Sequence, residues 1–284
     1  MFRLTPVVKN LLIINIVFYI LQHVLKGIHF TQIVSLWPVG SEYWFPYQFF
    51  TYMFAHSTND FFHILFNMLG LVFIGPLLEQ FWGPKRFLMF YLVTGIGAGV
   101  LYGGIKYFQS NQIEKEANVF LANPGASELV NFIDNNIDFR ESQRGVPYEV
   151  AFRVNKYSAE SVLNLADELE KHPDNQNLVE RAKAFVKDKT WIEQNLGSMA
   201  GASGAIYGIL MALGLLFPNT EFRLLFPPIP VKAKYIALVL GGYAIYSTFI
   251  TNPEDSTAHL AHVGGMVFAF IMIQIWKNDR NKFY

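Results

Sequence analysis

Four polar side chains stand in stretches that hold no Asp, Glu, Lys or Arg: His63 and Asn67 within 61–78, Ser203 within 194–220, and His262 within 256–276. A serine hydroxyl becomes a nucleophile when a histidine within reach takes its proton. Acyl transfer also needs N–H donors for the oxyanion that forms. His63 and Asn67 are spaced i, i+4 and share one helical face, so they can supply such donors beside the backbone N–H of Ser203. Tyr207, one turn beyond Ser203, can orient an imidazole by stacking or by a hydrogen bond. His259 lies three residues before His262, near the same face, where a structural bonding role is expected. The five charge-free windows after the first contain no Asp or Glu. Asp60 and Asp255 sit only at window edges, so the expected device is a Ser203–His262 dyad rather than a triad.

The elements that must carry these residues follow from composition. Of 284 residues 52% are hydrophobic and 15% charged, against about 25% charged in an average soluble domain. Disorder, a fibrous protein and an ordinary soluble enzyme are excluded. The chain has no cysteine, so thiolate chemistry and disulfides are excluded too. No metal-ligand spacing and no cofactor motif is present. Charge-free windows at 10–25, 61–78, 87–105, 194–220, 235–253 and 256–276 predict six spanning helices, each near the ~20 residues a bilayer needs. The first window is short and extends through Val7 and Val8 past Lys9, whose stem can snorkel. It lacks a small-x-small site and is read as a span rather than a cleaved signal.

The predicted spans run at about 7–26, 61–81, 86–107, 196–217, 233–251 and 257–276. They divide the chain into membrane core 1–108, a soluble insert 109–195 and membrane core 196–284. With the N-terminus inside, inside segments hold Arg3, Lys9, Lys85, Arg86, Arg223, Lys232, Lys234, Lys277, Arg280 and Lys282, while short outside segments hold only Lys26 and Lys106. The excess of inside cations places both termini in the cytoplasm and the insert outside. On that orientation Ser203 lies roughly 10 Å below the point where its span enters, and His262 roughly 9 Å, at 1.5 Å per helical residue. Gly201 and Gly204 beside Ser203, and Ala261, Gly265 and Ala269 beside His262, form small faces that let two helices pack closely. Gly95, Gly99 and Gly103 on the third span read as general packing.

The first outside loop, 27–60, holds Trp37, Trp44, Phe45, Tyr47, Phe49, Phe50 and Tyr52 with Pro38 and Pro46. It fits either an interfacial segment or a packed cap on the bundle. The insert carries 10 Lys/Arg and 15 Asp/Glu, a net of −5. It reads as mainly helical: Ser158 caps a run from Ala159 to Lys171, His172–Asn175 turns, and a second helix covers about 176–189. Residues 146–154 alternate weakly, like a strand.

Gly201-Ala202-Ser203-Gly204 with Tyr207, Ala261-His262-Val263-Gly264-Gly265 and His63-Ile64-Leu65-Phe66-Asn67 resemble the motifs of the rhomboid intramembrane serine proteases. Glu79 with Gly83 also looks like that family's turn after the second span. Order, spacing, span number and topology agree over 1–108 and 196–284. The resemblance implies an all-α, six-span rhomboid-like bundle, a Ser203–His262 dyad, and an oxyanion site from His63, Asn67 and the Ser203 amide. It further implies a multi-pass protein of a bacterial cell membrane that hydrolyses peptide bonds in or near the transmembrane helices of other proteins, often after small residues. The partners implied are transmembrane protein substrates and the lipid bilayer, with no nucleic acid, metal or cofactor. Two features depart from the family: Tyr47-Gln48 replaces a Trp-Arg pair, and the insert replaces a short loop. His56 looks like an accessory position.

Other readings stay open at this stage. An inactive rhomboid-like substrate binder would typically lack Ser203 or His262. A six-span transporter would show charges deep in its spans or broken helices in matching halves. A lipid-directed acyl hydrolase could use the same dyad.

Overall fold

The computed structural model describes residues 4–136, 153, 156–223, 229–249 and 259–278. Most of the strand-like stretch 146–154, and Arg3, Asp255, Arg280 and Lys282, lie outside the described residues. The described elements are α1 (Pro6–Val24), α2 (Phe30–Val34), α3 (Gln48–Thr51), α4 (Phe61–Trp82), α5 (Pro84–Ala122), α6 (Ala126–Asn136), α7 (Ala159–Lys171), α8 (Gln176–Asn195), α9 (Ser203–Leu216), strands β1 (Glu221–Arg223) and β2 (Pro230–Lys232), α10 (Ala233–Phe249) and α11 (His259–Asn278). The two strands pair antiparallel and link α9 to α10.

Among the described residues, four helices are long and apolar enough to cross a membrane: Pro6–Val24, Phe61–Trp82, Pro84–Ala122 and His259–Lys277. α9 is apolar but spans 14 residues, and α10 spans 17. Their outer faces are apolar and open. Ile13, Ile16, Val17 and Ile20 of α1, and Leu238, Val239 and Tyr246 of α10, are exposed. A water-soluble protein rarely exposes so much contiguous apolar surface.

The helix ends are set by local chemistry. Pro6 opens α1, where its missing N–H costs nothing. The buried Glu79 of α4 completes that end: its carboxylate accepts the backbone N–H of Val7 and Val8 at 3.0 Å each, and the Thr5 hydroxyl. A carboxylate is favoured at a helix N-terminus, where free N–H groups and the dipole meet it. Gly83, at φ +81°, turns the chain between α4 and α5. Asp60 accepts from Phe62 N at 2.9 Å and so caps α4.

α9 is the central helix of the membrane part and touches α4, α5, α10 and α11. Its packing uses small residues. A Cβ on Gly208 would fall 2.8 Å from Thr94 Cβ, one on Gly204 2.6 Å from Ala98 Cβ, and one on Gly265 against the Gly204 carbonyl. The glycine stripe of α5 has a more particular use than general packing. Gly95, Gly99 and Gly103 face Met53, Tyr52 and Phe49 of the first loop, not another long apolar helix.

That loop is both a cap and an exposed surface. Trp37, Tyr52, Met53 and Phe54 are buried, while Phe45, Tyr47 and Phe50 are exposed. Gln48 is buried and ties the loop together. It donates to Tyr43 O at 2.9 Å and Ile33 O at 3.3 Å, and accepts from Phe45 N and Trp37 N.

α5 is one continuous helix of 39 residues, ~58 Å long, about twice what a hydrocarbon core requires. It therefore runs unbroken through residue 108 into the insert. There Ile113, Ala117 and Phe120 join Phe132 of α6, Leu165 and Leu169 of α7, and Ala182 and Phe185 of α8 in a hydrophobic core separate from that of the membrane part. Ser158 and Ser161 form a reciprocal capping box at the start of α7. α8 runs to Asn195, six residues past its expected end, and α6 fills a segment for which no helix was expected.

The fourth span departs from expectation. Residues 197–202 are not helical, and α9 begins only at Ser203. Gly197 and Gly201 adopt φ of +91° and +140°, values that L side chains rarely take. Met199 instead pairs with Leu36 through two 2.8 Å backbone hydrogen bonds, and Gly201 N donates to Tyr52 O at 2.9 Å. The depth expected for Ser203 assumed helical rise over these residues. An extended strap anchored to the first loop delivers it instead.

Candidate active site

Ser203 is the first residue of α9 and is half-buried. Its N–H is one of the four at a helix start that have no acceptor within the helix. The same helix carries Tyr207 one turn on. The Tyr207 ring stacks on the imidazole of His262 on α11, with centroids 4.1 Å apart and planes 7° apart. His262 is buried, at 5% exposure. A Cβ on Gly204 would lie 3.5 Å from Ala261 O, and Gly265 rests on the Gly204 carbonyl. These contacts place His262 across from the first turn of α9, as the small residues around both had suggested.

His63 approaches from α4. A Cβ built on Gly201 would lie 2.8 Å from His63 Nε2 and 3.6 Å from Ser203 Oγ. One small volume beside Gly201 is thus bordered by both atoms, and it exists because residue 201 has no side chain. The other ring nitrogen is engaged: Ser57 N donates to His63 Nδ1 at 3.1 Å. A backbone N–H needs a lone pair as its acceptor, so the proton of the neutral ring sits on Nε2, facing the volume beside Ser203.

Asn67 is buried one turn further along α4. Its Nδ2 donates to His63 O at 2.7 Å. A primary amide has a second N–H to offer, so this bond steadies the side chain without exhausting it. His259 flanks His262 edge to face at 5.8 Å, and Tyr243 of α10 meets His259 at 5.8 Å.

Behind this arrangement lie His56, which the sequence marked only as an accessory position, and Gln22, Thr94 and Ala98, which sequence reading passed over. His56 is fully buried, its ring 5.3 Å from that of His63. Burial, reinforced by His63 next to it, pulls its pKa down to about 3, so it is neutral at ordinary pH. Gln22 of α1 is hydrogen-bonded to both backbone groups of His56. Thr94 and Ala98 of α5 fill the space opposite Gly208 and Gly204. Only the polar pair Gln22 and His56 left any signal in the sequence: a glutamine near the end of an apolar span, and a histidine seven residues before His63.

A family model described as the Rhomboid domain matches residues 43–130 and 184–278. The stretch between the two matched segments, 131–183, holds the distal part of the insert. No curated protein and no solved structure matches the chain.

Proposed function

The chain belongs to the rhomboid family, and on that premise we propose that it is an intramembrane serine endopeptidase working through Ser203 and His262. The observation that supports this reading is the meeting of four side chains about the first turn of α9. Tyr207 holds the His262 ring face to face, and His63 Nε2 and Ser203 Oγ border one volume at Gly201.

In the proposed reaction Ser203 Oγ attacks the carbonyl carbon of a peptide bond while His262 takes the hydroxyl proton. The carbonyl oxygen becomes an oxyanion. It is met by His63 Nε2–H, the second N–H of Asn67 and the Ser203 backbone N–H, aided by the positive end of the α9 dipole. His262 then gives its proton to the leaving amine. Water, deprotonated by the same imidazole, hydrolyses the acyl-enzyme.

The substrates are transmembrane proteins cut in or near their membrane segments, often after small residues. α9 and α10 complete a set of six spans with α1, α4, α5 and α11. Both termini face the cytoplasm, and the insert and the mouth of the site face the other side of a bacterial cell membrane. The surplus of cations in the inside segments supports that orientation.

The test is labelling of Ser203 by a fluorophosphonate, together with cleavage of a transmembrane substrate by purified protein. Ser203→Ala should abolish both. A Ser203→Ala protein that still cleaves overturns the reading. Labelling together with turnover of a lipid ester and no peptide cleavage makes the chain a lipid hydrolase instead.

A further inference from the structure

We propose that Gln22, on α1 and remote from the reacting atoms, is a positioning residue that sets the tautomer of His63 by holding the peptide plane between His56 and Ser57. Gln22 is 1% exposed. Its Nε2 donates to His56 O at 2.8 Å and to Thr31 Oγ1 at 3.2 Å, and its Oε1 accepts from His56 N at 2.9 Å. The amide therefore grips both backbone groups of His56, as a neighbouring strand would.

The grip matters because His56 C=O and Ser57 N–H belong to one peptide unit. That unit is planar and trans, so its C=O and N–H point in opposite directions and rotate together. Fixing the carbonyl against Gln22 aims the N–H away from α1. In that direction it meets His63 Nδ1 at 3.1 Å. With Nδ1 held as an acceptor, the ring proton stays on Nε2, the nitrogen nearest Gly201 and next to Ser203 Oγ.

Without Gln22 the peptide plane is free to turn. The Nδ1–H form of His63 then becomes accessible and presents a lone pair, not a donor, to a developing oxyanion. A buried polar group would ordinarily be expected to find any available partner. Here the Gln22 amide makes three hydrogen bonds, through both N–H groups and its oxygen, and two of the three fall on the single residue before Ser57. The catalytic consequence rests on the reading of His63 as an oxyanion donor; the tautomer does not.

The experiment uses full-length protein with 15N-labelled histidine in detergent micelles, the His63 resonances being assigned by their loss in His63→Gln. Wild-type protein at neutral pH should show the Nε2–H form. Gln22→Leu should show a mixture, with kcat for a peptide substrate down about tenfold, part of the ~10²-fold cost of a lost oxyanion donor, and KM unchanged. In a His63→Gln background, Gln22→Leu should lower kcat no further, whereas a general packing defect would lower it again. A wild-type ring in the Nδ1–H form overturns the proposal even if Gln22→Leu does not fold. So does a folded Gln22→Leu protein with the tautomer unmoved. A shifted tautomer with unchanged kcat supports the role of Gln22 and overturns His63 as an oxyanion donor instead.

Discussion

The ring of Tyr207 lies parallel to that of His262, 4.1 Å away and 7° from coplanar. Since Tyr207 sits one turn after Ser203, α9 supplies both the proposed nucleophile and the surface on which the proposed base rests. The contact needs the ring and not the hydroxyl. Tyr207→Phe should therefore keep kcat within about twofold, while Tyr207→Leu should lower it about fivefold, the ~1 kcal/mol worth of an aromatic pair. Equal losses in the two variants would move the role from stacking to the hydroxyl.

Ser203 and His262 should behave as a unit. Ser203→Ala, His262→Ala and the double variant should all fall to the same floor in a cleavage assay, because partners in one step are not additive. Asn67→Ala should cost about 10²-fold, the usual scale for one oxyanion donor. A His262→Ala protein well above the Ser203→Ala floor would show that another group takes the proton.

The spans α1 and α4 were readable to within about two residues, because an apolar run with a charge or a proline at each end leaves a helix little choice. Ser203 and His262 stand out as candidates for the related reason that hydroxyl and imidazole groups are conspicuous in such runs. The start of α9 was not. Gly197-Ser198-Met199-Ala200-Gly201-Ala202 is apolar enough to extend a span, and hydropathy does not register the positive φ of its two glycines. The continuation of α5 past residue 107 was missed because the polar run from Gln109 to Glu116 reads as the end of a span, although Ile113, Ala117 and Phe120 keep helical spacing. Gln22 falls inside the span expected at about 7–26 and drew no separate reading. Its partner is the backbone of a residue 34 positions away, and backbone groups leave no mark in a sequence.

Two glycines should be sensitive for different reasons. At Gly265 a Cβ would drive into the Gly204 carbonyl, backbone that cannot swing aside as a side chain can. Gly265→Ala should separate α9 from α11, lowering the thermal unfolding midpoint and activity together. At Gly201 the φ of +140° is unfavourable for alanine, and a Cβ would press on His63 Nε2. Gly201→Ala should therefore remove activity in a protein that still unfolds cooperatively, only a few degrees lower. An active Gly201→Ala protein would show that the volume beside Ser203 is not where the substrate carbonyl sits.

Two histidines should give separable effects of pH. A general base has to be neutral, and an ordinary imidazole titrates near ~6.5, so activity should rise with pH along an acid limb. His56 cannot supply that limb, since it remains neutral down to about pH 3. It should instead affect stability. Its pKa is lower folded than unfolded, so between ~6.5 and about 3 the unfolded chain binds the proton first. The stability contribution is complete above ~6.5 and declines as pH falls toward about 3. Thermal unfolding of His56→Gln should accordingly lose less stability than wild type on acidification, with the acid limb of activity in place. A variant as acid-sensitive as wild type would contradict this assignment.

The insert is tied to the site by its last turn rather than by its bulk. Asn195 Oδ1 accepts from Ser41 Oγ at 2.8 Å and Glu42 N at 3.0 Å, and Trp191 Nε1 donates to Glu42 Oε1 at 3.0 Å. From there the chain runs through the Leu36–Met199 pairing to Gly201 and Ser203. The distal core of Phe120, Phe132, Leu169 and Phe185 is self-contained. Replacing residues 119–189 with a short flexible linker should therefore leave fluorophosphonate labelling of Ser203 at its original rate. Asn195→Leu, which removes a side chain buried against the first loop, should slow that labelling several-fold despite leaving the insert whole. With the linker variant, unchanged cleavage of a small peptide but altered cleavage of a full-length membrane substrate would show that the distal insert selects substrates. Unchanged cleavage of both would make it a passive appendage. Loss of labelling in the folded linker variant would instead mean that the distal core, and not the Trp191–Asn195 turn, holds the strap that carries Ser203.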